Sequence, residues 1–382
     1  MPFTNNSNNA MTKFDHPQEI LITEWAALQG RTDLTNCTVQ GVDLREQSLD
    51  WDKCRIGNTA FLGCPMDLET EVQLRRIGAH IYPPPVQPLP YNPFRKALYT
   101  WQELIAPVEG KQADLHIYEH FSASKLNPPI NEALWQRIHD HSIDEGLRQL
   151  LQFDEEGMTS RRCVGIMGGH STLRTDPYFE KTALTALLLA KAGYFVVSGG
   201  GPGIMEAANL GAYLSPYGAD ALKQALRTLK SAPHYTDPGY HEAAQAVLED
   251  YPDGAENLAI PTWFYGHEPS NLFASHIAKY FSNSIREDTL LAISLYGIIC
   301  APGSAGTTQE IFMDATQNHY GTFNYYSPMV FLGRQRYEIE TLIYPLLRQL
   351  AWGREYYDLL CLTDEPEEIV RFLQAHPPKK VG

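Results

Sequence analysis

The sequence predicts an α/β protein built on a doubly wound parallel sheet, with an N-terminal β-rich and helical extension and C-terminal helices. Three observations predict it. From Arg162 onward, short and almost continuous apolar runs alternate with stretches of helical periodicity. Such runs are the mark of strands buried on both faces, as in a parallel sheet covered by helices. Three of the runs end in glycine clusters that lead directly into the next helix. The intervening helices also carry local start and stop signals, such as Asp176-Pro177 at one end and Gly193 at the other.

The strand runs are CVGIMGG (163–169), YFVVSGGGPG (194–203), NLAIPTWF (257–264), LYGIICA (295–301) and SPMVFLG (327–333). Between them the pattern predicts helices over 176–193, from 204 to 214, across a longer excursion at 219–250, over 271–288, and from Thr307 onward. In the helix expected at 271–288, His276, Lys279, Asn283 and Arg286 follow a 3, 4, 3 spacing and share one face. Residues 336–382 read as two closing helices, YEIETLIYPLLRQLAW and EPEEIVRFLQAH, and a short tail.

The N-terminal part has a different grammar. Residues 1–16 are polar and Asn-rich and read as a disordered tail with no apolar segment of the signal-peptide kind. Over 17–81, short apolar residues alternate with polar ones, at Val39, Val42, Leu44, Ile56 and Phe61. This resembles a few coils of a β-solenoid, but the repeat is irregular, which favours a small β-rich subdomain. Residues 82–155 open with the Pro-rich YPPPVQPLPYNP, an extended linker or strap, and continue as a helical lead-in. The sheet domain then spans 156–335.

Composition excludes several functions. The chain has 382 residues and a net charge of −15, from 45 acidic and 30 basic side chains. A protein that coats nucleic acid would show a basic stripe instead. The six cysteines form no C-x-x-C pair and no histidine cluster accompanies them, which argues against a zinc site. No apolar run is long enough to span a membrane, so the expected location is the cytoplasm.

In an open parallel sheet, ligands bind at the carboxyl ends of the strands near the point where the strand order reverses. The three glycine clusters fall at such ends: Gly168-Gly169-His170, Gly199-Gly200-Gly201-Pro202-Gly203, and Pro302-Gly303-Ser304-Ala305-Gly306-Thr307-Thr308. Backbone N–H groups and helix N-termini converging there suit an anion. The second cluster lacks the third glycine of a dinucleotide fingerprint, and no cluster carries the lysine of a P-loop. What remains fits a monophosphate. Glu310 follows in the first turns of the next helix, and Arg286 can reach a phosphate or a carboxylate.

SGGGPGIMEAANLGA (198–212) and PGSAGTTQE (302–310) resemble the paired signatures GGGxxGxMxxxxxGA and PGGxGTxxE of the Lonely Guy (LOG) family. These phosphoribohydrolases, often labelled lysine decarboxylases, cleave nucleoside 5′-monophosphates on a Rossmann-like domain. The resemblance covers about 162–335, under half of the chain. The flanking additions look like those of the larger bacterial nucleotide 5′-monophosphate nucleosidases. The resemblance implies Glu310 and Arg286 as catalytic residues. It implies Gly200, Gly201, Gly203, Gly303, Gly306, Thr307 and Thr308 as the phosphate cradle, with Glu206 and Asn209 at polar positions of the first motif. Ser304 departs from the pattern, which has glycine there; its hydroxyl adds a donor. Gly168, Gly169 and His170 would lie against the base, and His170 or His267 could protonate it as it leaves.

The implied reaction is hydrolysis to free base and ribose 5-phosphate, with no metal or organic cofactor and no nucleic-acid or membrane partner. A homo-oligomer, dimer or tetramer, is also implied. The alternative is a nucleotide sensor of the same fold that binds without turnover and signals through the flanking regions.

Overall fold

A computed structural model describes residues 19–47, 49–154 and 157–382. The tail expected at 1–16 lies outside the described residues. The chain divides into two compact units, 1–96 and 97–382. The Pro-rich segment falls in the first unit and the helical lead-in in the second.

The first unit is a sequential parallel coil. Strands β1 (Ile20–Ile22), β2 (Cys37–Gln40), β3 (Ala60–Leu62) and β4 (His80–Tyr82) pair in chain order. All three pairings are parallel, with partners Ile20 and Cys37, Thr38 and Ala60, and Ala60 and His80. A regular coil therefore underlies the irregular repeat, because connections of unequal length still return each strand to register. Val39, Trp51, Phe61 and Leu74 fill its core, and helix α1 (Leu68–Arg76) closes the last coil. The Pro-rich segment ends on Phe94, whose ring packs against Gly63 at φ +60°. A side chain at position 63 would collide with that ring.

The second unit opens with helices α2 (Ala113–Ser124) and α3 (Ile130–Leu151). The α/β alternation follows: β5 (Cys163–Met167), α4 (Pro177–Lys191), β6 (Phe195–Ser198), α5 (Ile204–Tyr213), α6 (Ala219–Leu229), α7 (Tyr240–Asp250), β7 (Leu258–Ala259), β8 (His276–Ile277), α8 (Asn283–Ile293), β9 (Ile298–Cys300), α9 (Ala305–Tyr320), β10 (Met329–Leu332), α10 (Ile343–Leu350), β11 (Leu360–Thr363) and α11 (Pro366–Ala375). The seven strands lie in the order β8-β7-β6-β5-β9-β10-β11. All six pairings are parallel. The chain builds outward from β5 to β8, then returns to the other side of β5 with β9. The switch point lies between β5 and β9, as a doubly wound sheet requires.

Local signals place the helices as expected. The Asp176 carboxylate accepts from the Tyr178 N–H at 2.7 Å, Pro177 occupies the first turn, and Gly193 stops the chain past α4 at φ +81°. Gly211 lets α5 rest directly on the Ala183 backbone of α4. Val164, Val196, Ile299 and Val330 fill the middle of the sheet.

Three expectations are corrected. The segment 271–288 is not one helix. The Asn271 side chain accepts from the Phe273 N–H at 3.1 Å, a local turn that competes with helix. His276–Ile277 then adds a strand to β7, and helix starts only at Asn283. The four-residue polar stripe therefore does not exist. Near the C-terminus, the first expected helix is split. Gln335–Glu340 winds as a π-helix, Leu342 takes φ +54°, and α10 follows. Between the closing helices lies β11, a seventh strand too short to show periodicity.

Candidate functional site

The three glycine loops meet at the switch point and are stitched together. The Gly169 N–H donates to the Pro302 carbonyl at 3.0 Å, and the Ile204 N–H donates to the Gly169 carbonyl at 3.1 Å. Gly203, at φ +69°, sits so close to the Gly169 carbonyl that any side chain would collide with it. Gly303 is as tightly held, against the Thr307 side chain. Gly168 leaves room for Ile204, and Gly200, at φ +79°, packs on Pro261. These glycines are needed for close approach of backbone to backbone.

The third loop leads into α9 with an open face. Ser304, Ala305 and Gly306 are exposed, and open space surrounds Gly306. The first N–H groups of a helix have no partner inside it and carry partial positive charge. Thr307 is buried against the loop, while the Thr308 hydroxyl donates to the Ser304 carbonyl at 3.0 Å. From behind, Arg336 Nη2 donates to the Gly303 carbonyl at 2.7 Å and the Tyr337 hydroxyl to the Ala301 carbonyl at 2.7 Å.

Beside this opening the first turns of α8 and α9 face each other. Arg286 Nη1 lies 3.2 Å from Glu310 Oε1, and Arg286 Nη2 donates to Asn283 Oδ1 at 2.9 Å. Its Nε is buried with no hydrogen-bond partner among the described residues. Gly199 leaves room for Met205, since a Cβ there would lie 2.7 Å from its Sδ. Glu287 anchors the arrangement, accepting from Asn283 Nδ2 at 2.7 Å and Gln309 Nε2 at 2.6 Å. The Tyr265 hydroxyl accepts from Asn283 Nδ2 at 2.9 Å. Burial raises the Glu310 pKa above the ordinary glutamate value; Arg286 opposes that rise and Glu287 adds to it.

The remaining expected residues lie elsewhere. Glu206 is buried and held by Arg174, behind the second loop. Asn209 is a buried hub: its amide donates to Asn257 and to the Leu258 carbonyl, and its carbonyl oxygen accepts from Ser198 and Asn271. It ties β6 to β7 behind the loops. His170 is exposed, with its ring 6.3 Å from that of Tyr235. His267 is directed at the buried Asp114 carboxylate, 3.3 Å away, which also accepts from Lys279 at 2.7 Å and from the Trp263 indole at 2.8 Å. Of the supposed stripe, only Asn283 and Arg286 reach the site.

Sequence reasoning missed Asp140. Its carboxylate accepts from the Phe281 and Ser282 N–H groups, both at 2.9 Å, at the entry to α8. It thereby fixes the start of the helix that carries Arg286. No local pattern reveals it, because the two ends of the contact are 141 and 142 residues apart.

The comparison with curated protein sequences returned no match. Among solved structures, the chain is similar to the molybdenum cofactor binding protein from Rippkaea orientalis, at 14% identity and a TM-score of 0.36, over 56% of this chain and 96% of that one. It is likewise similar to the molybdenum cofactor carrier protein from Chlamydomonas reinhardtii, at 14% identity and a TM-score of 0.36, over 56% of this chain and 99% of that one. Residues 161–215, from the start of β5 to just past α5, match the model of the SLOG cluster4 family.

Proposed function

We propose that the protein hydrolyses the N-glycosidic bond of a nucleoside 5′-monophosphate. The observation that carries this reading is the Arg286–Glu310 pair standing beside three interlocked glycine loops and the open N-terminus of α9. In the proposed complex the 5′-phosphate rests on the backbone of 303–306, where helix-end N–H groups favour an anion. Anchoring the phosphate positions the ribose beside Glu310 through binding energy remote from the reacting bond.

As the bond from C1′ to the base nitrogen breaks, its electron pair leaves with the base and positive charge builds on the ribose ring. The Glu310 carboxylate stabilises that charge and takes a proton from the attacking water. The water oxygen bonds to C1′, and the proton that Glu310 took from the water passes through solvent to the base nitrogen, which restores the carboxylate. The products are free base and ribose 5-phosphate. Arg286 opposes the rise that burial imposes on the Glu310 pKa, and Asn283 orients Arg286. The SLOG match over 161–215 is compatible with the reading without specifying the reaction.

The test is incubation with AMP, GMP, IMP, CMP, UMP and an N6-substituted AMP, following free base by chromatography. Release that requires the 5′-phosphate and survives exhaustive chelation supports the proposal. Nucleotide binding without release from any of them would replace it with the sensor reading.

A further inference from the structure

The segment 261–270, which leads from β7 towards β8, lies against the second glycine loop and is anchored on both sides of one residue. Ahead of it, Pro261 packs on Gly200, and the buried Trp263 donates its indole N–H to Asp114 at 2.8 Å. The Tyr265 hydroxyl meets Asn283 of α8, and His267 lies 3.3 Å from the Asp114 carboxylate. Behind it, Asn271 donates to Asn209 at 2.8 Å. The residue so placed is Glu268. Its Oε2 is close enough to the loop that a Cβ on Gly201 would lie 2.6 Å from it. Glu268 is half-buried, yet its carboxylate has no hydrogen bond or ion pair among the described residues. Its neighbours differ: Glu206 is held by Arg174, Glu287 by Asn283 and Gln309, and Glu310 by Arg286.

A second unmatched group stands on the same loop. Arg286 Nε is buried without a partner among the described residues, and a Cβ on Gly199 would lie 4.0 Å from Nη1 of the same guanidinium. Gly199 and Gly201 are two residues apart, and the Met205 side chain packs against both. An acceptor and a donor, each lacking a partner among the described residues, therefore stand at the two ends of one short run of backbone.

We propose that Glu268 accepts from the 2′- and 3′-hydroxyls of the ligand's ribose and restricts the site to ribonucleotides. The assignment rests on the reading of the site as one for a nucleoside 5′-monophosphate, whether that ligand is hydrolysed or only bound. An ionised carboxylate only accepts, so it takes a group that presents hydrogen-bond donors. It repels the phosphate, which belongs on the N–H groups of the third loop. The ribose offers two hydroxyls on adjacent carbons, one for each carboxylate oxygen. With Glu310 at C1′ and its partner Arg286 reaching the second loop, the ring edge that carries C2′ turns towards Glu268. In doubly wound dinucleotide sites an acidic side chain holds a ribose hydroxyl in the same way. Removing the 2′-hydroxyl leaves a half-buried carboxylate oxygen unmatched, a loss of roughly 30-fold in affinity.

The experiment is calorimetric titration of the full chain carrying Glu310→Gln, which under the proposed reaction does not consume the ligand. The titrants are paired ribo- and 2′-deoxyribonucleoside 5′-monophosphates of adenine, guanine and cytosine. In each pair that binds, the ribonucleotide should bind roughly 30-fold tighter. Adding Glu268→Ala should abolish that preference by weakening the ribonucleotide alone. Should that variant fold poorly, Glu268→Gln, which keeps one acceptor oxygen and the size of the side chain, should reduce the preference without abolishing it. Equal affinities for the two sugars with Glu268 in place would overturn this assignment and leave the nucleotide reading standing. So would a preference that survives both substitutions. Binding of neither kind of nucleotide would overturn both.

Discussion

Two arginine–glutamate pairs flank the strand-end loops, one behind the second loop and one beside the third. Arg174 and Glu206 are closed. The guanidinium meets the carboxylate through both Nε and Nη2, donates to the carbonyls of Ala232 and Tyr240, and stacks 3.6 Å over the Tyr240 ring. The two side chains are 1% and 4% exposed. Arg286 and Glu310 are open. A single 3.2 Å contact joins them, Arg286 Nε has no partner among the described residues, and the side chains are 8% and 12% exposed. A closed pair has its donors and acceptors matched and serves the fold. An open pair leaves hydrogen-bonding capacity unmatched among the described residues, beside the glycine loops. The same two residue types thus take different parts, set by how many further partners each meets.

The strongest way to break this comparison is Glu310→Gln. Under the proposed reaction, base release should fall by about 10³-fold, within the range for loss of a general base. Circular dichroism and nucleotide binding should be retained. Turnover at the wild-type rate would remove Glu310 from the mechanism.

Glu206→Gln is the counterpart. Removing one member of an enclosed ion pair strands the other charge, at a cost of about 3–5 kcal/mol. Denaturant unfolding should show that loss for Glu206→Gln and a much smaller change for Glu310→Gln. Equal losses would mean that both pairs are structural.

Arg286→Gln sharpens the role of the open pair. Burial raises the pKa of Glu310 and Arg286 opposes the rise. In the proposed reaction Glu310 acts as the carboxylate, so activity should be present above its pKa and lost as pH falls through it. Without the guanidinium that pKa climbs further. The acid limb of kcat/KM should move to higher pH, with the rate on the plateau down about 10²-fold. An unmoved acid limb would separate the two residues.

The smallest effect is expected one helical turn along α9, at Asp314. It is buried, has no cation to oppose burial, and its Oδ2 lacks a hydrogen-bond partner among the described residues. Burial pushes its pKa up from 3.8 to about 8. The unfolded chain ionises this group above its ordinary value while the fold holds it protonated. Stability is therefore eroded as pH rises from 3.8 towards about 8, and the cost is absent at lower pH. Asp314→Asn should raise Tm by about 2–4 °C at pH 8 and leave it unchanged at pH 3, read by thermal scans. Equal shifts at both pH values would point to packing instead of ionisation.

Much of this molecule was legible in one dimension. The five apolar runs became β5, β6, β7, β9 and β10, because a strand buried on both faces must be apolar along its length. The cap at Asp176 and the stop at Gly193 are local chemistry and act wherever they occur. The short strands β8 and β11 were not legible, since two to four residues show no period. Nor was the break at Asn271, where a side-chain bond diverted an apparently helical run.

The glycine loops and the five apolar runs that lead into and out of them follow from the sequence itself, because backbone freedom and apolar runs are properties of each residue and its near neighbours. Tertiary structure alone decided which carboxylate is enclosed and which is left open. It also decided that Asp140 fixes the entry to α8 from a distant helix and that the N-terminal repeat closes into a parallel coil. Burial, ion pairing and pKa depend on what surrounds a group in space, and those neighbours are separated along the chain by tens to hundreds of residues.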